Sequence, residues 1–191
     1  MRLPEWSSTH ALFESDVARD PTYREAYLLL GVKAFETGRF AEAEDWINPL
    51  LEGDSRFDGT ASYLNWLSLA ELACHNKIRL KDFEGILALE ARWRRDFVAL
   101  ARAPTFRICF ALAHDGLGLT EEAVQIYLAV ARELGSGAPP RLYLMIARDL
   151  AQLGRFDQAR PWLAKARRFG SHDPALRREI GAFSTYLDQR R

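Results

Sequence analysis

Residues 143–166 read YLMIARDLAQLGRFDQARPWLAKA, and residues 27–50 read YLLLGVKAFETGRFAEAEDWINPL. Superposed, the two stretches share an aromatic start (Tyr27, Tyr143), an aliphatic residue (Leu30, Ile146) and a small residue beside it (Gly31, Ala147). A glycine follows (Gly38, Gly154), then a phenylalanine (Phe40, Phe156), a second small residue (Ala43, Ala159) and a closing apolar pair (Ile47 and Leu50; Leu163 and Ala166). The three- and four-residue spacing of Tyr27, Leu30 and Ala34, and of Tyr143, Ile146 and Leu150, predicts one buried helical face. Gly38 and Gly154 stand where that helix must stop, because glycine enters the left-handed region at little cost. Gly31 and Ala43, like Ala147 and Ala159, are the small residues that let a returning helix come close. A weaker third copy runs through Phe110, Ala111, His114, Gly118, Ala123, Tyr127 and Val130.

The turn glycines at 38, 118 and 154 are 80 and 36 residues apart. The longer interval is two periods of about 40 residues, near the repeat length of helical-hairpin arrays. On these residues the chain resembles the tetratricopeptide (TPR) repeat family over roughly residues 20 to 170. It departs from the family in two ways. The usual early tryptophan is tyrosine here, or Arg107 in the third copy, and the closing proline is absent after the first copy and late, at Asp173-Pro174, after the last. Ala159, Trp162, Lys165, Ala166 and Gly170 also give the last copy a likeness to Sel1-type repeats. The resemblance implies an all-α fold, a right-handed α-solenoid of stacked antiparallel hairpins with about nine or ten helices. It also implies an adaptor, scaffold or chaperone that binds another protein or a peptide, of the kind that serves bacterial secretion or assembly systems.

The expected organisation is a single domain over 1–191. A leading cap helix occupies 1–21, built on Ser8, Ala11, Leu12, Phe13 and Val17, and repeat 1 occupies 22–57. A divergent repeat fills 58–103, where Tyr63, Trp66, Leu67, Ala70, Phe83, Ile86, Leu87, Leu89 and Trp93 are helical in spacing but the small residues fall out of register. That stretch reads as a longer hairpin. Repeats over 104–139 and 140–172 follow, and 173–191 is a capping helix started by Asp173 at the N-cap and Pro174 behind it. Its apolar face is Leu176, Ile180, Phe183 and Leu187.

Composition agrees. Of 191 residues, 48% are hydrophobic, enough to fill a core, and no run of about 18 apolar residues suggests a membrane span. The start, Met1 to Trp6, lacks the apolar centre of a secretory signal, so a cytoplasmic location is expected. Cys74 and Cys109 read as small buried hydrophobes rather than a disulfide or metal pair. The histidines His10, His75, His114 and His172 are dispersed without ligand spacing, and no phosphate loop, nucleophile elbow or dinucleotide fingerprint is present. No catalytic, metal or cofactor site is therefore expected.

Net charge is zero, but it is unevenly spread. Residues 1–60 hold 6 Lys/Arg against 12 Asp/Glu, residues 61–140 hold 9 against 9, and residues 141–191 hold 11 against 5. In a stacked array this predicts an acidic and a basic end, able to orient a partner or to join copies head to tail as a homo-oligomer. No nucleic-acid reading motif accompanies the basic residues, so nucleic acid is not the expected partner. In the family the first helix of each hairpin lines the concave groove. By helical spacing that implies Glu25, Leu28, Val32 and Phe35 from the first copy, Ile108 and Leu112 from the third, and Arg141, Leu144 and Arg148 from the last. Arg141 and Arg148 carry most of this expectation, because core packing does not account for them. An alternative role is a regulatory subunit sensing a small molecule or signalling peptide, or a self-assembling scaffold.

Overall fold

The computed structural model describes residues 9–52 and 66–190. The expected Ser8 start of the cap helix, the residues read for a signal, Tyr63, and the boundary between repeat 1 and the divergent repeat lie outside them. Among the described residues there are eleven α-helices and no strand. They gather in two compact units, Met1–Asp82 and Phe83–Arg191, where the sequence leads one to expect a single domain.

The first unit holds α1 (Thr9–Arg19), α2 (Arg24–Glu36), α3 (Phe40–Glu52) and α4 (Trp66–Leu80). Helices α2 and α3 form a hairpin whose core is Tyr27, Leu30 and Ala34 against Ala43, Ile47 and Leu50, with Trp46 edge-on to Tyr27. Gly31 does what its position implies. A methyl group there would lie 2.5 Å from Ile47 Cγ2. Helix α4 is tied to α3 by Asn76, which donates to the Phe40 carbonyl at 3.0 Å, and by Lys77, whose ammonium bonds both Glu44 and Asp82. Burial alone would push the Lys77 pKa down, but the two carboxylates outweigh it and hold it above the ordinary lysine value.

The second unit holds α5 (Phe83–Asp96), the short α6 (Val98–Arg102), α7 (Pro104–Gly116), α8 (Thr120–Leu134), α9 (Pro140–Gln152), α10 (Phe156–Phe169) and α11 (Pro174–Asp188). Helices α7 and α8, and α9 and α10, are the hairpins of the third and last copies. Prolines open α7, α9 and α11, where their missing N–H costs nothing. The Asp173 carboxylate caps α11, accepting from the N–H groups of Ala175 and Leu176. Leu176, Ile180 and Leu187 of that helix are buried, as the capping face requires. Cys74 and Cys109 are both buried.

The hairpin turns are nearly superposable in their bonding. Gly38, Gly118 and Gly154 have φ of 78°, 79° and 75°. In each, the next residue's N–H reaches the carbonyl five residues back: Arg39 to Ala34, Leu119 to His114, Arg155 to Leu150, at 2.8–2.9 Å. A fourth turn has the same bond, Asp82 N–H to the Lys77 carbonyl at 2.9 Å, with Lys81 at φ 60° in the glycine's place. Lys81 restores the register that the sequence obscures. Counted back from it, Cys74 stands where Gly31, Ala111 and Ala147 stand, while Ile86 replaces the second small residue. The turn after α4 is therefore ordinary in its bonding, and α5 is followed by the short α6. Ala103, extended ahead of Pro104, ends that short helix.

A lysine held at positive φ is strained by about 1 kcal/mol relative to glycine. Lys81→Gly is expected to raise stability by about that amount in a denaturant melt. An unchanged or lowered midpoint would show that the Lys81 side chain contributes more than its backbone costs.

Candidate functional site

The residues expected to line a groove fall in both units. Glu25, Leu28, Val32 and Phe35 are half-buried along α2 of the first, and the Phe35 ring lies 5.5 Å from that of Phe40. Ile108, Leu112, Arg141, Leu144 and Arg148 belong to the second. Ile108 and Leu112 of α7 are half-buried against the unit's core.

Leu144 corrects the expectation. It is 1% exposed, one of the largest fully buried side chains, and presents no surface to a ligand. Helix α11 packs on α9 and brings Leu176 and Ile180 into the core to which Leu144 belongs. The arginines on either side stay exposed, yet they are not idle. Glu179 of α11 bridges them, with Oε1 3.0 Å from an Arg141 terminal nitrogen and Oε2 3.3 Å from one of Arg148. So the reason for setting these arginines apart, that packing did not explain them, has a structural answer in a capping-helix glutamate. Three partly exposed charged groups, two arginines and one glutamate, leave one net positive charge on this face of α9 and α11.

A second polar group lies at the far end of α9. Asp149 is 5% exposed, and its Oδ2 has no hydrogen-bond partner among the described residues. Burial raises its carboxyl to about 7, the nearby charge of Asp115 adds to the rise, and Arg148 opposes it. Asp115 accepts a bond from the Thr120 hydroxyl at 3.1 Å, and that hydroxyl in turn accepts from the Gln152 amide at 3.1 Å. Burial, with the two aspartates behind it, pushes the Tyr127 phenol far above its ordinary value. Strongly shifted groups are common at functional sites and also in structural networks. Among the described residues no cluster of three or more His, Cys, Asp or Glu could hold a metal ion. His114 Nε2 lies 3.7 Å from a carboxylate oxygen of buried Glu90.

Sequence reading missed Glu179 and Asp149 for the same reason. Each is an ordinary surface-type residue by type and spacing, and only the packing of another helix gives it a role. The one available signal was an acid beside Arg148 within the mainly apolar stretch Leu144 to Ala151 of α9.

A tetratricopeptide-repeat family profile matches residues 140–165, which are α9 and most of α10. No curated protein matches the sequence. Several solved structures share the fold. "YrrB: a TPR protein with an unusual peptide-binding site" aligns at a TM-score of 0.66 and 16% identity, over 87% of this chain and 78% of that one. TTC0263, a thermophilic TPR protein of Thermus thermophilus, aligns at 0.64 and 18%, over 91% and 87%. MamA AMB-1 aligns at 0.63 and 17%, over 87% and 89%. The chain is a TPR-like helical-repeat protein.

At these identities the likeness is one of fold. In a TPR-like chain, α2, α7 and α9 are the first helices of their hairpins, and α11 occupies the place of the next first helix. Glu179 therefore stands on the same side of its unit as Arg141 and Arg148, which is why one carboxylate reaches both. Among the described residues no helix is long and apolar enough to cross a membrane.

Proposed function

We propose that this TPR-like protein is an interaction adaptor, a scaffold or chaperone without chemistry of its own, that receives a partner peptide or helix on the first-helix side of its repeats. The observation that supports it is the surface on the second unit. Half-buried Ile108 and Leu112 of one first helix supply apolar contact, and the Arg141–Glu179–Arg148 bridge on later first-helix positions supplies partly exposed, oriented charge. Bridged guanidiniums keep N–H donors for a second carboxylate, so an acidic group on a partner can bind without breaking the bridge. Service within a bacterial secretion or assembly system, and a cytoplasmic location, are the finer form of this proposal.

The test separates binding from stability by inverting the bridge. Arg141→Glu/Arg148→Glu/Glu179→Arg keeps both ion pairs with their signs exchanged. It is expected to melt within a few degrees of wild type, since exposed ion pairs contribute about 1 kcal/mol or less, and to lose the partner recovered by wild type from the native lysate. Equal recovery of the same partner by both proteins, or recovery of none by wild type, overturns the proposal.

A further inference from the structure

The second unit carries a cleft that the first-helix surface does not include. The seven residues Phe97 to Ala103 interrupt the passage from α5 to α7, and their short helix α6 forms one wall of it. Helix α5 forms another wall with Glu90 and Arg94, and α8 faces them with Ile126, Ala129 and Glu133. Phe110 of α7, itself 1% exposed, lies at the floor. The cleft has a volume of about 700 Å³, within the range of binding pockets.

Its lining mixes apolar side chains with charged ones, and the charges do not cancel. Arg94 gives two N–H bonds to Glu90 Oε1, at 2.9 and 2.6 Å. Arg107 bonds Glu133. Arg102 is exposed on the rim and has no acidic partner among the described residues. Val98, part of the lining, is 44% exposed, and next to it Phe97, outside the cleft, is 42% exposed. The occupant must therefore bring an apolar group and one carboxylate, and it must extend past Val98 at the edge of the cleft to cover Phe97. A small apolar acid satisfies only the first requirement, whereas a peptide satisfies both.

We infer that the α5–α6–α8 cleft is a docking site for a partner peptide in which an apolar side chain, seated over Phe110 and Ile126, stands close to an aspartate or glutamate that meets Arg102. This surface is independent of the Arg141–Glu179–Arg148 face and stands whether or not that face binds anything.

The probe is a phage-displayed library of random dodecapeptides selected on the full chain, with enriched peptides synthesised and followed by fluorescence anisotropy. Arg102→Glu and Val98→Asp alter exposed side chains, and unchanged circular dichroism confirms their folding. Enriched peptides are expected to pair an apolar residue with Asp or Glu. Each variant should weaken their binding by about tenfold or more, as expected for a lost charge-assisted contact or apolar seat, and added salt should weaken it for wild type. Enriched peptides indifferent to both variants overturn the inference. If the inverted bridge variant alone abolishes binding, the adaptor reading survives and the cleft does not. If no peptide is enriched, both fail. Self-association of wild type that Arg102→Glu abolishes would make a second copy the occupant, and phenylacetate binding as tightly as any peptide would make it a small acid. Either result overturns the peptide.

Discussion

Asp149→Asn is expected to make the protein more stable at pH 8 and to change it little at pH 4. An aspartate in an unfolded chain titrates near 3.9, while in the folded protein burial lifts Asp149 to about 7. Between those values the folded state holds a proton that the unfolded state has lost. Stability attributable to this group is thus complete below about pH 4, falls as pH rises through the interval at up to about 1.4 kcal/mol per unit, and levels off above pH 7. The full interval corresponds to about 4 kcal/mol, which is an upper bound because solvent screening reduces it. Asparagine cannot ionise and removes the fall. Carboxylates whose pKa is lowered, such as Glu121 through Arg155, work in the opposite sense and are common to both proteins. The difference between the two urea midpoints at pH 4, 6 and 8 isolates Asp149. Curves that stay parallel across the range would mean that Asp149 ionises in the folded state as readily as in water.

Gly31→Leu is expected to disrupt the first hairpin. The missing Cβ at Gly31 is replaced in space by Ile47 Cγ2, 2.5 Å from where that atom would stand, with Leu72 Cδ2 at 3.4 Å. Ile47 is fully buried and β-branched, so it has no room to retreat. Alanine at this site is expected to cost about 1–3 kcal/mol of overpacking, less the fraction that its better helix propensity returns. Leucine adds three more carbons to the same space and should abolish cooperative melting of that hairpin. Gly31→Ala/Ile47→Leu removes the colliding methyl and is expected to recover most of the alanine cost. If the double variant is no better than the single, the clash lies elsewhere. Gly154 provides the contrast. Nothing lies within 4 Å of its absent Cβ, but its φ is 75°, so Gly154→Ala should cost about 1 kcal/mol through backbone strain alone. No change at Ile47 or any other side chain should rescue it.

These two glycines mark how much was legible beforehand. Gly31, Gly38, Gly118 and Gly154 could be read because close approach selects small residues and positive φ selects glycine. The divergent repeat could not, because Lys81 takes a glycine's conformation and Ile86 a small residue's place, and type alone reveals neither. α6 was hidden in the same stretch, and with it the cleft.

What the sequence by itself determined is the hairpin: its periodic apolar face, its turn and its close-packed small residues are local properties, fixed within about 30 residues of one another. What only the tertiary structure decided depends on helices distant along the chain. Glu179 reaches Arg141 across 38 residues. Leu144 is withdrawn into a core shared with α11, and Asp149 is raised toward neutrality by burial and by Asp115. Charge pairing, desolvation and burial depend on which surfaces meet, and that is set by packing between hairpins rather than by periodicity within one.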